Sequence, residues 1–195
     1  MHTSTDNNNI TPDGDVTLII GEEDAQFKVH SQVLKTASKV FAAMLSPQFG
    51  EGRSLVENGS AKITMPEDDA AAMEIILNVL HLQNNAPAVR DNPDPNMIVR
   101  IAVAADKYEC KVAMEFAVKG WLRSLPCMTA DAHQLFDLLK ATYWFEDEEC
   151  FRRTSLGLMV HYGGSYFDLL QPESPSFDQD ILLGMIRKTR DPRCI

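Results

Sequence analysis

The stretch that most constrains this chain is Asp15 to Leu45, DVTLIIGEEDAQFKVHSQVLKTASKVFAAML. Val16, Leu18 and Ile20 alternate with Thr17 and Ile19, and Ala25, Phe27 and Val29 alternate with Gln26, Lys28 and His30. A period of two with β-branched and aromatic residues predicts two strands, each with one buried face. The acidic Gly21-Glu22-Glu23-Asp24 segment between them predicts the turn of a hairpin. The second strand then runs without a linker into two short helical segments. Ser31 and Ser38 are placed to cap them by accepting backbone N–H bonds.

Further along, Phe41, Met44 and Leu45 share one helix face before Pro47 and Gly50 end that helix. Ser54 to Ser60 reads as a polar loop and Ala61 to Met65 as a third strand. Pro66-Glu67-Asp68-Asp69 sets a proline and three acids at a helix start, where free N–H groups favour negative charge. Met73, Ile76, Leu77 and Leu80 follow at helical spacing. Residues 83–96, with three prolines, read as a loop. Ile98, Ile101, Ala102 and Ala105 mark a helix ending near Tyr108, and Val112, Phe116 and Leu122 another that Pro126 closes. Beyond Thr129 the pattern is helical. Leu135, Leu138 and Leu139 form one stripe, and Phe151, Leu156, Met159 and Val160 a second after the acids Glu146 to Glu149. Ile181 to Ile186 begins a short last helix.

Composition excludes several functions. The net charge of −10 argues against sequence-independent nucleic-acid binding, which needs Lys and Arg to displace counterions. The basic cluster Arg187, Lys188, Arg190 and Arg193 reads as a solvated helix end. No apolar run approaches the roughly 18 residues of a membrane span, and the polar start MHTSTDNNNITPDG lacks the parts of a signal peptide. The expectation is therefore a cytoplasmic or nuclear protein. Cys110, Cys127, Cys150 and Cys194 contain no CxxC pair and are expected as reduced thiols. There is no Gly-x-Ser-x-Gly elbow, phosphate loop or His-Glu-x-x-His, so no catalytic, cofactor or metal site and no small-molecule substrate is expected.

The order strand, strand, helix, helix, strand, helix, then two more helices resembles a BTB/POZ domain. DVTLII followed by FKVHSQVL resembles that family's opening hairpin and its step into the first helix, carried here by Phe27, His30 and Leu34. SKVFAAML resembles its second helix, with Ser38 as cap before Phe41. ITMPEDDAAAMEIILNVLH resembles the third strand and third helix in a form common among fungal members, and AADKYECKVAMEFAVKGWL the later helical pair. The chain departs from much of the family at His81-Leu82-Gln83, where a Tyr-Thr-Gly step is usual. Only residues 1–14 lie upstream of the hairpin, without the helix and strand that many members swap across a dimer.

The resemblance implies an α+β fold, a small sheet of about three strands with clustered helices, followed by an all-α extension. The expected boundaries are a disordered tail over 1–14, the BTB/POZ domain over 15–125 and the helical extension over 126–195. Asp15 and His30 are expected to act at the strand-to-helix corner, with His30 hydrogen-bonding the backbone there. In the family, cullin scaffolds dock near the third-strand-to-third-helix segment and the second and later helices. The positions that match are Met44, Met65, Pro66, Glu67 and Tyr108, with Met65 and Glu67 resembling an apolar residue two before a contact glutamate. The implied function is a non-catalytic adaptor that docks a cullin-type ubiquitin ligase scaffold and positions a partner. Two alternatives stand beside it. One is a self-associating scaffold, homodimeric and nuclear; the other is an enzyme with a pocket in the helical extension.

Overall fold

A computed structural model describes residues 8–125, 131–164 and 166–169. The chain divides into two compact units. One comprises the residues up to Pro93 with Arg100–Ala117, the other Asp94–Val99 with the residues from Val118 on.

In the first unit, β2 (Val16–Ile20) and β3 (Ala25–Val29) form the expected antiparallel hairpin, with Leu18 opposite Phe27. A shorter strand, β1 (Asn8–Asn9), lies parallel to β3, and β4 (Ala61–Met65) lies parallel to β2 with Ile63 beside Leu18. The sheet order is β1-β3-β2-β4. Parallel strands need a crossover. The parallel pair β2 and β4 is joined through antiparallel β3 and then α1 (Ser31–Ala37), α2 (Lys39–Met44) and α3 (Gly50–Asn58). Val16, Leu18, Ile20, Phe27 and Val29 are buried on one face of the sheet. Each contributes about 1.5–3 kcal/mol of transfer free energy. After β4 comes α4 (Ala70–Leu80), where Met73, Ile76 and Leu77 are buried as their spacing predicts. Ala72, Ile75, Asn78 and Val79 are buried too, so the helix is covered on more sides than the amphipathic pattern implies. Then follow α5 (Pro87–Arg90), α6 (Pro95–Lys107) and α7 (Lys111–Ser124), the last two contributing residues to both units.

The second unit contains α8 (Ala132–Trp144) and α9 (Glu148–His161), which pack on each other. Asp131 accepts the Gln134 N–H at 2.9 Å and Asp147 the Cys150 N–H at 3.0 Å, so each helix starts on an aspartate cap. Leu135, Phe136, Leu139, Phe151, Leu158 and Leu169 form its core. Lys140 is buried there, paired with Asp137 at 2.6 Å and lying 5.4 Å over the Phe136 ring.

Six expectations need correction. Residues 83–96 are not all loop: α5 takes Pro87–Arg90, started by its own proline, and α6 begins at Pro95. Residues 8–14 are no tail: Ile10 is buried, the Thr11 N–H bonds the Lys28 carbonyl, and Lys28 Nζ bonds Pro12 O at 2.7 Å. Most of 54–60 is helical, because α3 packs its Gly52 so closely on the preceding loop that a Cβ would overlap the Ser46 carbonyl. Gly59, in the left-handed region at φ +70°, then stops it. Ser31 does not cap α1 with its own hydroxyl, which donates to Asp15 instead. On α7 the buried residues include Met114, Val118, Trp121 and Leu122, whereas Val112 and Phe116 are 85% and 92% exposed. On α9 the buried stripe runs through Cys150, Phe151, Thr154 and Leu158, leaving Leu156, Met159 and Val160 exposed. In both helices a second apolar stripe competes with the buried one, and periodicity alone cannot choose between them. The expected last helix and the basic cluster at 187–193 lie outside the described residues. Among the described residues no helix is long and apolar enough to cross a membrane.

Candidate functional site

The second helix has two working faces. On the inner one, the Ser38 hydroxyl accepts the Phe41 N–H at 3.0 Å and donates to the Tyr108 carbonyl. Phe41 is fully buried and stacks on the Tyr108 ring, with centroids 4.6 Å apart and planes 5° from parallel. The Tyr108 hydroxyl donates to Asp68 Oδ2 at 2.7 Å and lies 3.2 Å from Met65 Sδ. Lys107 Nζ reaches the other Asp68 oxygen at 2.8 Å. Burial, and then the Asp68 charge, push the phenol well above its ordinary pKa, so Tyr108 is a permanent donor here.

The adjacent Asp69 accepts the Ala71 and Ala72 N–H groups at the start of α4, both at 3.1 Å. It also takes a two-pronged contact from Arg100, at 2.5 Å from Nε and 2.6 Å from Nη2. Burial works against its ionisation, but the Arg100 guanidinium and the backbone bonds outweigh this and hold the carboxyl below its ordinary value. The turn between β4 and α4 is therefore fastened to α6 through both aspartates.

This geometry sorts the residues expected on a partner surface. Met65 and Tyr108 are only 5% and 3% exposed, so both belong to the core and are corrected as contacts. Pro66 and Glu67 are exposed on the turn, and Asp69 rather than Glu67 caps α4. Phe27, Leu34 and Phe41 are buried, as their structural role requires. Asp15 fulfils its corner role, accepting the Ser31 N–H at 2.7 Å and the Ser31 hydroxyl at 2.6 Å. His30 differs from expectation. Its backbone N–H, not its ring, makes the corner bond, donating to His81 Nε2 at 3.1 Å, while the ring reaches Asp13 at 3.3 Å.

The outer face of α2 borders an open groove of about 520 Å³ lined by Lys39, Val40, Ala43, Met44, Phe49, Glu51 and Glu109. Val40, Ala43 and Met44 point outward because Phe41 and Leu45 take the inward positions. Phe49 stands at the N-cap of α3, 51% exposed. Its position is set by the Gly52 approach, together with the Phe49 N–H bond to Ser46 O. Glu109 enters from the corner between α6 and α7, held in the left-handed region at φ +47°.

Of the expected contacts, Met44 is the one the fold brings to this groove; Phe49 and Glu51 join it. Neither matches a family position, although Phe49-Gly50-Glu51 has the same spacing, an apolar residue two before a glutamate, as Met65-Pro66-Glu67. Among the described residues no group of three or more His, Cys, Asp or Glu is placed to hold a metal ion. Cys110 and Cys150 are buried, and burial pushes the Cys110 thiol up to about 11; Cys127 and Cys194 lie outside the described residues.

The α+β core built on the hairpin thus carries an open groove beside α2, with Val40, Ala43, Met44 and Phe49 as its apolar part and Lys39, Glu51 and Glu109 as its charged part. Residues 9–120 match the family model of the BTB/POZ domain, and the chain belongs to that family. The domain is a protein–protein interaction module. No curated protein matches the chain.

Proposed function

We propose that this protein is a non-catalytic adaptor whose groove beside α2 docks a cullin-type ubiquitin ligase scaffold. The helices after the matched region act as an extension that positions a further partner. The observation that carries this reading is the grouping of Met44, Phe49 and Glu51 on one open groove. The half-exposed Phe49 ring and the Met44 side chain offer an apolar anchor that is poorly solvated when free. Met is adaptable enough to follow the contour of an incoming side chain. Lys39, Glu51 and Glu109 give the border a mixed charge, in which the two glutamates favour basic or N–H-donating groups beside them. An apolar centre with a charged border is the arrangement in which a few anchors supply most of the binding energy. The reading requires no chemistry from the chain itself, and it places the protein in the cytoplasm or nucleus, where such scaffolds work.

Calorimetric titration with a cullin N-terminal domain tests it, with light scattering reporting self-association of the same samples. Submicromolar binding that Phe49→Asp or Glu51→Lys abolishes, while the fold is retained and Glu67→Lys binds as wild type, is the expected result. Absence of binding by the folded protein overturns the adaptor assignment.

A further inference from the structure

His81 ends α4 and makes two hydrogen bonds of opposite sense. Its Nδ1 lies 2.8 Å from the Leu77 carbonyl one turn back. A carbonyl only accepts, so Nδ1 carries the proton. Its Nε2 lies 3.1 Å from the His30 backbone nitrogen. An amide N–H only donates, so Nε2 is bare. The ring is thus a neutral imidazole in one tautomer, clamped between the end of α4 and the corner where β3 becomes α1. The next amide along, that of Ser31, is held by Asp15 at 2.7 Å. Two consecutive backbone donors at the start of α1 are therefore satisfied by two different titrating side chains.

We propose that His81 is a proton-operated latch: protonation at Nε2 turns an acceptor into a donor, breaks the bond from the His30 N–H and frees the β3–α1 corner from the end of α4. The two side chains respond differently to acid. Asp15 is held below the ordinary carboxylate range, so it keeps its grip on Ser31 through the whole imidazole range. His81 alone changes the sense of its bond.

The surroundings set the pH at which this happens. His30 is the neighbour whose charge acts on His81, its ring stacked at 6.2 Å between centroids. Behind it, Asp13 contacts the His30 ring at 3.3 Å. From β3, Lys28 is engaged by the Pro12 carbonyl, and from α5, Arg90 pairs with Asp91 at 3.1 Å. From α1 comes Lys35 in its last turn, away from the corner. On α4 itself, Asp69 sits at the far end with Arg100, and burial raises Glu74. Burial of the imidazole, and then repulsion from His30, lower the His81 pKa against the bond to Leu77 O. The folded state thus binds this proton less readily than the unfolded chain. The stabilisation that neutral His81 brings is complete above about pH 6.5 and is lost as pH falls through the lower folded value.

Nuclear magnetic resonance of the full ¹⁵N-labelled chain tests the latch. Long-range ¹⁵N–¹H imidazole correlations are expected to show the Nδ1–H tautomer of His81 at neutral pH and a protonation midpoint below 6.5. Through that midpoint the His30 amide should lose about five- to tenfold of its hydrogen-exchange protection, the equivalent of one backbone-type bond, while the Ser31 amide keeps its own. An Nε2–H tautomer, or His30 protection that does not follow the His81 titration, overturns the proposal. His81→Gln should abolish the pH-dependent change at the His30 amide; persistence of that change in the folded variant would assign it to the His30–Asp13 contact instead and refute the latch.

Discussion

Replacing Tyr108 with Phe deletes one oxygen atom and should cost the first unit about 2 kcal/mol. The ring itself stays, so its parallel stack on Phe41 and the burial of its carbon atoms are unchanged. What is lost is the 2.7 Å bond from the hydroxyl to Asp68. A hydrogen bond to a charged acceptor contributes about 1.5–3 kcal/mol net. The Asp68 side chain is only 8% exposed, so water replaces the missing donor poorly and Lys107 remains its main partner. The value should therefore sit in the middle of that range. Urea unfolding followed by circular dichroism would show it as a lower midpoint with an unchanged slope. In thermal melts a loss of this size lowers Tm by about 4–8 °C for a chain of this length. A double-mutant cycle with Asp68→Asn should return most of the cost as coupling between the two residues. A loss under about 0.5 kcal/mol, or full additivity with Asp68→Asn, would refute the reasoning. So would a Tyr108→Phe variant of wild-type stability with weakened partner binding, which would return Tyr108 to the surface.

Two further outcomes follow from the same geometry. Gly52→Ala gains up to about 1 kcal/mol of helix propensity but must push a Cβ into the Ser46 carbonyl, at about 1–3 kcal/mol for overpacking. It should therefore destabilise the protein in denaturant titrations and, by displacing Phe49 and Glu51, weaken any partner binding that the proposed groove supports. Asp15→Ala should cost about 1 kcal/mol, as for a lost helix cap, and flatten the acid limb of the stability curve. Burial opposes ionisation of Asp15, but the Ser31 hydroxyl and amide prevail and depress its pKa, so its contribution is complete above about pH 4 and disappears as pH falls through the folded value.

The hairpin, most helices and the family itself could be read from local pattern, because each rests on residues close in the chain. Alternation between Val16 and Val29 needs no tertiary partner to signal two half-buried strands. The spacing of Met73, Ile76, Leu77 and Leu80 likewise announces a helix with one apolar face, though not that the rest of α4 is covered as well. The helix over Gly50–Asn58 was not legible: two glycines and a polar sequence argue against it, and only the fit of Gly52 onto Ser46 favours it. The site was legible in part. Met44 was singled out and does line the groove, but Met65 and Tyr108 match the family pattern equally well and turn out to be core. A methionine looks the same in a sequence whether its thioether meets a tyrosine hydroxyl or a partner.

Local order, then, came from the chain's own spacing: strand, strand, helix, and the absence of any recognised catalytic motif. Which face of each element is covered, and which side chains meet, came from folding. His81 and His30 are 51 residues apart, and Asp15 and Ser31 are 16 apart. Nothing at either position marks its partner, because a hydrogen bond between distant residues leaves no period in the sequence. The groove arises for the same reason. Phe49, Glu51 and Met44 are ordinary residues one by one, and they become a surface when α2, α3 and the α6–α7 corner are packed side by side.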